Sequence, residues 1–271
     1  MKVVRTAAEV RESLAADRER GVRIGLVPTM GAFHDGHLSL IQAAREGSGT
    51  VVVSLFVNPA QFGRGEDLEQ YPRDEAHDRE VAEQVGVDLL FAPEPVEIYP
   101  AGFDTWVDPG KLATYLEGAA RPGHFRGVAT VCARLFSIVA PHVAYFGRKD
   151  AQQVAVVKQM VRDLALPLEI VACPTVRDAD GLACSSRNRF LSDADRTAAL
   201  ALPRALQAGL QAHRSGADAV RAAREVLDSE PRLQVDYVAV ADLDGQTLAA
   251  AVLVGSTRLI DNVRLSDEGE G

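Results

Sequence analysis

Apolar positions along the chain fall into short, β-branched runs separated by longer segments of helical spacing. Runs at 22–27, 51–57, 87–92, 143–146 and 168–172 have the length and near-continuous apolar character of strands buried on both faces of a parallel sheet. Ahead of the first run, Thr6-Ala7-Ala8-Glu9 has capping-box form, and Val10 and Leu14 share a face. This predicts a helix over 7–20 closed by Gly21. Helical spacing also predicts a helix through 38–44, an exposed helix over 74–85 ending at Gly86, a short helix over 112–116, a helix over 128–139 before Pro141, and a helix over 154–164. Strands alternating with helices imply an α/β fold with a parallel sheet and right-handed crossovers. Beyond Pro174 the pattern changes to two Ala-rich helical segments, 193–212 and 217–228, followed by alternating runs at 235–241, 250–254 and 257–263. That order predicts a smaller α+β domain with an antiparallel sheet, giving domains of 1–175 and 176–271.

Composition narrows the class. With 271 residues and 47% apolar content, the chain can bury one large or two modest cores, and no apolar run approaches a membrane span. Lys+Arg 29 against Asp+Glu 38 gives a net charge of −9, which disfavours nucleic acid or an anionic membrane as partner, because both need a basic surface. Any anion site must be local. Cys132, Cys173 and Cys184 are odd in number and widely spaced, which argues against a disulfide framework. With no apolar signal core in residues 1–20, the expected location is cytoplasmic.

The most informative stretch is Val27-Pro28-Thr29-Met30-Gly31-Ala32-Phe33-His34-Asp35-Gly36-His37-Leu38. It reads as strand, Pro/Gly-punctuated loop and helix, so the loop ends at a helix N-terminus where unpaired N–H groups and the dipole favour an anion. If the helix begins near Asp35, His34 and His37 lie on one side of its first turn and both can donate to one polyphosphate. By itself the pair could also be a chance pair or a satisfied polar core; zinc is disfavoured because no Cys or third His lies nearby.

In open parallel sheets ligands bind beyond the carboxyl ends of the strands. Those ends carry Thr29, His34 and His37; Asn58 and Gln61; Gly147, Lys149 and Asp150, with Gln153 one turn on; and Arg177, Asp178, Asp180, Ser185, Ser186 and Arg187. Gly147-Arg148-Lys149-Asp150 suits a phosphate and a sugar hydroxyl, or is an exposed loop with its charges in water. Ser185-Ser186-Arg187-Asn188 combines two hydroxyls with a guanidinium, as an anion nest does. The alternative is helix capping, but Ser192 with Asp195 already supplies a separate cap for the next helix, so the cluster is less easily explained that way. The loop 117–126, with Arg121, His124 and Arg126, either gates a cleft, binds a second carboxylate, or is a solvated connection.

Pro28-Thr29-Met30-Gly31-Ala32-Phe33-His34-Asp35-Gly36-His37, Phe56-Val57-Asn58-Pro59-x-Gln61-Phe62, Tyr71-Pro72-Arg73, His124-Phe125-x-Gly127-Val128, Phe146-Gly147-x-Lys149-Asp150-x-Gln152-Gln153 and Asp180-Gly181-Leu182-Ala183-x-Ser185-Ser186-Arg187-Asn188 together resemble the pantoate–β-alanine ligases. The His-x-Gly-His block alone suggests only the nucleotidyltransferase superfamily, and the other blocks narrow it. The resemblance implies a Rossmann-like nucleotidyltransferase domain, a C-terminal domain covering the active site, and ATP-dependent joining of pantoate to β-alanine through a pantoyl adenylate, with release of pyrophosphate and AMP. It implies that His34, His37, Lys149, Ser185, Ser186 and Arg187 act on the triphosphate. Met30, Gly147, Asp150 and Val176 join them in binding ATP, and Pro28, Met30, Asn58, Gln61, Phe62 and Gln153 bind pantoate. It further implies Mg²⁺ bridging phosphate oxygens, with no protein-side metal ligand assigned, and a homodimer. Arg148, Ala151 and Cys184 stand where the family usually has an acidic residue, an aromatic residue and Met; Arg148 is expected to alter nucleotide affinity.

Overall fold

The computed structural model describes residues 1–63 and 65–266, which divide into two units. The first comprises residues 1–147 and 156–173. Its elements run β1 (Lys2–Val4), α1 (Ala7–Glu19), β2 (Ile24–Thr29), α2 (Asp35–Gly47), β3 (Thr50–Leu55), α3 (Glu75–Gln84), β4 (Leu89–Phe91), α4 (Pro95–Ile98), α5 (Glu117–Ala120), α6 (His124–Val139), β5 (Val143–Gly147), α7 (Ala151–Asp163) and β6 (Glu169–Cys173). Residues 148–155, including the start of α7, group with the second unit.

Six strands form one parallel sheet in the order β1-β4-β3-β2-β5-β6. β1 is an addition to the sequence reading, because Lys2-Val3-Val4 is too short to register as an apolar run. β2 also runs further than expected, through Pro28 to Thr29. The Thr29 carbonyl accepts from Phe56 N on the β3 side, so the neighbouring Pro28 nitrogen faces β5, beyond the last bridged pair, Leu26 with Ala144. No ladder bond is lost there, which is why a proline is tolerated in a central strand.

Val27, Val51, Val53 and Leu90 of the sheet pack with Ile41 and Ala44 of α2 in the buried core. Each fully buried aliphatic side chain contributes roughly 1.5–3 kcal/mol. Thr6 and Glu9 form the expected capping box. The 112–116 helix is replaced by a 3-10 turn at Gly110–Ala113, and the expected loop 117–126 contains α5 and the start of α6. Nor is α3 wholly exposed, for Asp78 and Ala82 on its inner face are buried.

The second unit comprises residues 148–155 and those from Pro174 onward. α8 (Asp193–Ala199), α9 (Ala201–Arg214) and α10 (Ala219–Asp228) precede β7 (Leu233–Asp242), β8 (Gln246–Val254) and β9 (Thr257–Arg264), an antiparallel sheet in the order β7-β8-β9. Leu202, Leu206, Leu227, Leu248 and Val252 lie in its core. The single helix expected over 193–212 is two, because Pro203 has no N–H to offer the Ala199 carbonyl one turn back, and α8 ends there. Among the described residues no helix is long and apolar enough to cross a membrane.

One close approach fixes α6 against the 3-10 turn at Pro59–Gln61. A Cβ at Gly127 of α6 would lie 2.2 Å from the Ala60 carbonyl oxygen and 2.7 Å from Gln61 Cα, whereas a Cβ at Gly147 meets nothing within 4 Å. Backbone cannot swing aside as a side chain can, so the clash outweighs the ~1 kcal/mol that Ala gains over Gly in a helix. Gly127→Ala should therefore lower stability by about 2 kcal/mol or more, and Gly147→Ala by no more than about 0.5 kcal/mol, as read from denaturant midpoints.

Candidate active site

Strand order reverses beside β2: β3, β4 and β1 lie to one side, β5 and β6 to the other. Ligands in open α/β sheets bind at such a switch point, beyond the carboxyl ends of the strands. The β2–α2 loop and Gly147 at the end of β5 occupy those ends.

The loop turns through two left-handed residues, Gly31 (φ 88°) and Ala32 (φ 53°), and one buried carboxylate holds it. Asp78, 1% exposed, accepts from Ala32 N at 2.9 Å and from Phe33 N at 2.8 Å. Gly31 has to be glycine, since a Cβ there would come within 2.7 Å of Asp78 Oδ2. His34 is the N-cap of α2, its Nδ1 accepting from Gly36 N at 3.2 Å. An accepting Nδ1 leaves the proton on Nε2, so His34 offers an N–H donor from that atom. The His34 and His37 rings lie 4.1 Å apart between centroids, tilted 40°, and Phe33 packs 5.5 Å from His37. Two imidazoles thus share the N-terminal turn of a 13-residue helix, where the dipole favours an anion.

Beyond β3, Asn58 caps a 3-10 turn at Pro59–Gln61. Asn58 is 2% exposed and spends its amide internally. Its Oδ1 accepts from Ala60 N (3.2 Å) and from the Tyr99 hydroxyl (2.7 Å), and its Nδ2 donates to Gly127 O (3.2 Å) and Gln61 Oε1 (3.0 Å). Gln61 Nε2 donates to Met30 Sδ at 3.1 Å, a weak acceptor. The structure thus joins Met30, Asn58 and Gln61, with Phe62 packed 5.9 Å from the Tyr71 ring. Burial pushes the Tyr99 phenol well above its ordinary range, which keeps it a donor.

The 117–126 segment closes on Gln61 from the backbone side. His124 Nδ1 lies 2.8 Å from Gln61 O, its Nε2 lies 3.2 Å from Arg121 Nη1, and Arg121 grips Glu66 through Nε (3.0 Å) and Nη2 (2.6 Å). A carbonyl only accepts, so Nδ1 carries the proton and Nε2 accepts from Arg121. Burial, reinforced by the Arg121 charge, lowers the His124 pKa from 6.5 to about 4.

In the second unit, Lys149 lies 3.8 Å from Asp150, and Asn262 of β9 donates to the carbonyls of Arg148 (2.8 Å) and Lys149 (2.9 Å). Arg148 pairs with Asp244 at 3.1 Å, so its extra charge has a carboxylate beside it. Contrary to the sequence reading, capping accounts for part of the serine cluster: Ser185 caps the 3-10 turn Ser186–Phe190, its Oγ accepting from Arg187 N at 3.3 Å. Cys184 N donates to Val176 O at 2.9 Å, tying Val176 to the serine segment. Asp178 anchors that segment through Cys184 Sγ (3.0 Å) and Asn188 Nδ2 (3.3 Å) while pairing with Arg196 (2.6 Å). Burial opposes its ionisation, but the thiol and guanidinium outweigh this and hold the carboxyl below its ordinary range. Arg177 is held by Asp261 at 2.7 Å, and Asp180 by Arg196 at 2.8 Å. These three candidates from the sequence therefore serve as supports.

Among the described residues no group of three or more His, Cys, Asp or Glu side chains could hold a metal ion, and Asp78 has committed both oxygens to backbone N–H groups. Sequence reasoning missed Asp78, Tyr99 and Asn262 as supports. Asp78 was concealed by the polar look of α3, and Tyr99 and Asn262 by their distance along the chain.

A sequence model of the family described as pantoate-beta-alanine ligase matches residues 2–264. Pantothenate synthetase of Moorella thermoacetica is 51% identical, over 98% of this chain and 99% of its own. The crystal structure of pantothenate synthetase from Thermus thermophilus superposes with a TM-score of 0.92 at 47% identity, covering 98% of this chain and 99% of that one. That of pantoate-beta-alanine ligase from Francisella tularensis, complexed with beta-gamma ATP and beta-alanine, gives 0.83 at 33% identity, covering 98% of both chains.

The neutral His124 has a measurable consequence. Its folded pKa, about 4, lies below the ordinary 6.5, so below pH 6.5 the unfolded chain takes up a proton that the folded chain resists. Stability should fall between about pH 6.5 and pH 4, by up to about 3 kcal/mol from this group. His124→Asn, whose side-chain NH₂ can replace the Nδ1–H donation, should flatten that part of the profile when thermal midpoints are measured against pH.

Proposed function

The chain belongs to the pantoate–β-alanine ligase family and is a ligase; from that premise we propose that it condenses pantoate with β-alanine at the expense of ATP, through a pantoyl adenylate. The observation that carries the nucleotide half of this reading is the His34–His37 pair at the N-terminus of α2, beside the switch point of the sheet. In the first step a pantoate carboxylate oxygen attacks the α-phosphorus of ATP, and the bond to the β-phosphate oxygen breaks to release pyrophosphate. In the second, the uncharged β-alanine amine attacks the acyl carbon; AMP leaves, the amine loses a proton, and pantothenate remains.

The roles follow from charge. His34, donating from Nε2, and His37 stabilise the oxygens that gain charge as pyrophosphate departs, together with Lys149, Ser185, Ser186 and Arg187. Gly147 and Asp150 hold the ribose, and Met30 and Val176 line the nucleotide. Gln61, with Gln153, binds the pantoate hydroxyls and carboxylate, while Pro28, Met30 and Phe62 wall that pocket. Asn58 acts there through Gln61, because its own amide is fully engaged. Mg²⁺ bound with the nucleotide would neutralise phosphate charge, held by phosphate oxygens. No covalent enzyme intermediate is needed, so positioning and electrostatic stabilisation carry the rate. The homodimer implied by the resemblance belongs to the same reading, and sedimentation tests it.

Pyrophosphate release from Mg·ATP and pantoate, with and without β-alanine, tests the reaction. Sustained release requiring both acids, with AMP and pantothenate as products, is expected; no release with pantoate in either condition would sink the acceptor assignment. His34→Asn retains a capping side chain for α2 but removes the Nε2 donor, and His37→Ala removes the second imidazole. Each should depress adenylate formation by roughly 10²–10³-fold with little change in thermal midpoint.

A further inference from the structure

Two separate networks converge on Gln61, and neither supplies a group to the chemistry proposed above. The first fixes the polarity of its carboxamide. Ala60 N can only donate and Gly127 O can only accept, so Asn58 must present Oδ1 to the former, at 3.2 Å, and Nδ2 to the latter, at 3.2 Å. The Tyr99 hydroxyl adds a 2.7 Å bond to the same Oδ1. With its orientation set by backbone, Asn58 offers an N–H to Gln61, whose facing atom is therefore Oε1, at 3.0 Å. The NH₂ of Gln61 is thereby turned the other way, toward Met30 Sδ. The second network holds the Gln61 backbone: His124 Nδ1–H donates to its carbonyl at 2.8 Å, and Glu66 fixes Arg121, which fixes His124.

We propose that Tyr99 and His124 are positioning residues that lock Gln61 with its NH₂ presented to the substrate, making this position selective for an acceptor oxygen. A thioether is a poor acceptor. A hydroxyl or carboxylate oxygen of the bound acid takes its place at net gain, whereas a group that only donates, such as an ammonium, meets a donor that cannot turn over. The carboxamide cannot flip to suit the second kind of ligand without breaking the bond to Asn58, and Asn58 cannot flip without opposing two backbone groups.

This inference rests on the proposed reaction, with pantoate as the acid bound by Gln61. Steady-state kinetics on the full chain separate the two. Wild-type turnover of ATP, pantoate and β-alanine tests the reaction itself, and its absence removes both. Given turnover, Tyr99→Phe, which keeps the ring packed against Phe103 and Trp106, should raise KM for pantoate by about five- to tenfold, the scale of one lost hydrogen bond. KM for ATP and kcat should stay within about twofold. His124→Ala should act in the same direction, and His124→Asn should restore the wild-type KM for pantoate. Wild-type KM values in both Tyr99→Phe and His124→Ala would overturn the proposal. So would a parallel rise in the KM for ATP, or a loss of folded protein that His124→Asn does not reverse, for either would mark a general structural role.

Discussion

A backbone turn held by one buried carboxylate is the constraint on which the β2–α2 loop depends. Between β2 and α2 the chain reverses through Gly31 and Ala32, both left-handed, and Ala32 is strained there by about 1–2 kcal/mol. The Asp78 carboxylate, buried at the same point, receives two N–H groups from Ala32 and Phe33. Hydrogen bonds to a charged acceptor are each worth roughly 1.5–3 kcal/mol, so the pair outweighs the strain and satisfies the carboxylate. The imidazoles of His34 and His37 are then set by a helix start that has only one place to be.

The remaining polar groups divide into those that support and those that are offered. Asn58 uses all four of its hydrogen-bonding capacities within the protein, and Arg177, Asp178 and Asp180 are engaged by Asp261 and Arg196. Gln61, by contrast, faces sulfur. A buried amide with a weak partner is where a ligand gains most, because the competing protein contact is cheap to give up.

Much of this was legible in the sequence, and the reasons for the rest are specific. The β-branched runs identified five strands of the parallel sheet because each is long enough for a continuous apolar pattern; Lys2-Val3-Val4 is a strand only because β4 lies beside it. Pro203 divided a helix whose apolar spacing continued straight through. His34, His37 and the Ser185–Arg187 cluster stand in short motifs, and a motif can be read locally. The partners that orient Asn58 and Gln61 come from residues 99, 124 and 127, and no local pattern announces a contact across that separation.

Asn262 of β9 holds the carbonyls of Arg148 and Lys149, and its neighbour Asp261 holds Arg177. β9 is the last strand of the described chain, so during synthesis it emerges after every residue it fixes. The parallel sheet, the histidine pair and the hydrogen bonds around Gln61 can all form earlier. A nascent chain could therefore be folded over most of its length with Lys149 still unanchored, and the order of translation becomes an order of assembly in which the lysine's support comes last.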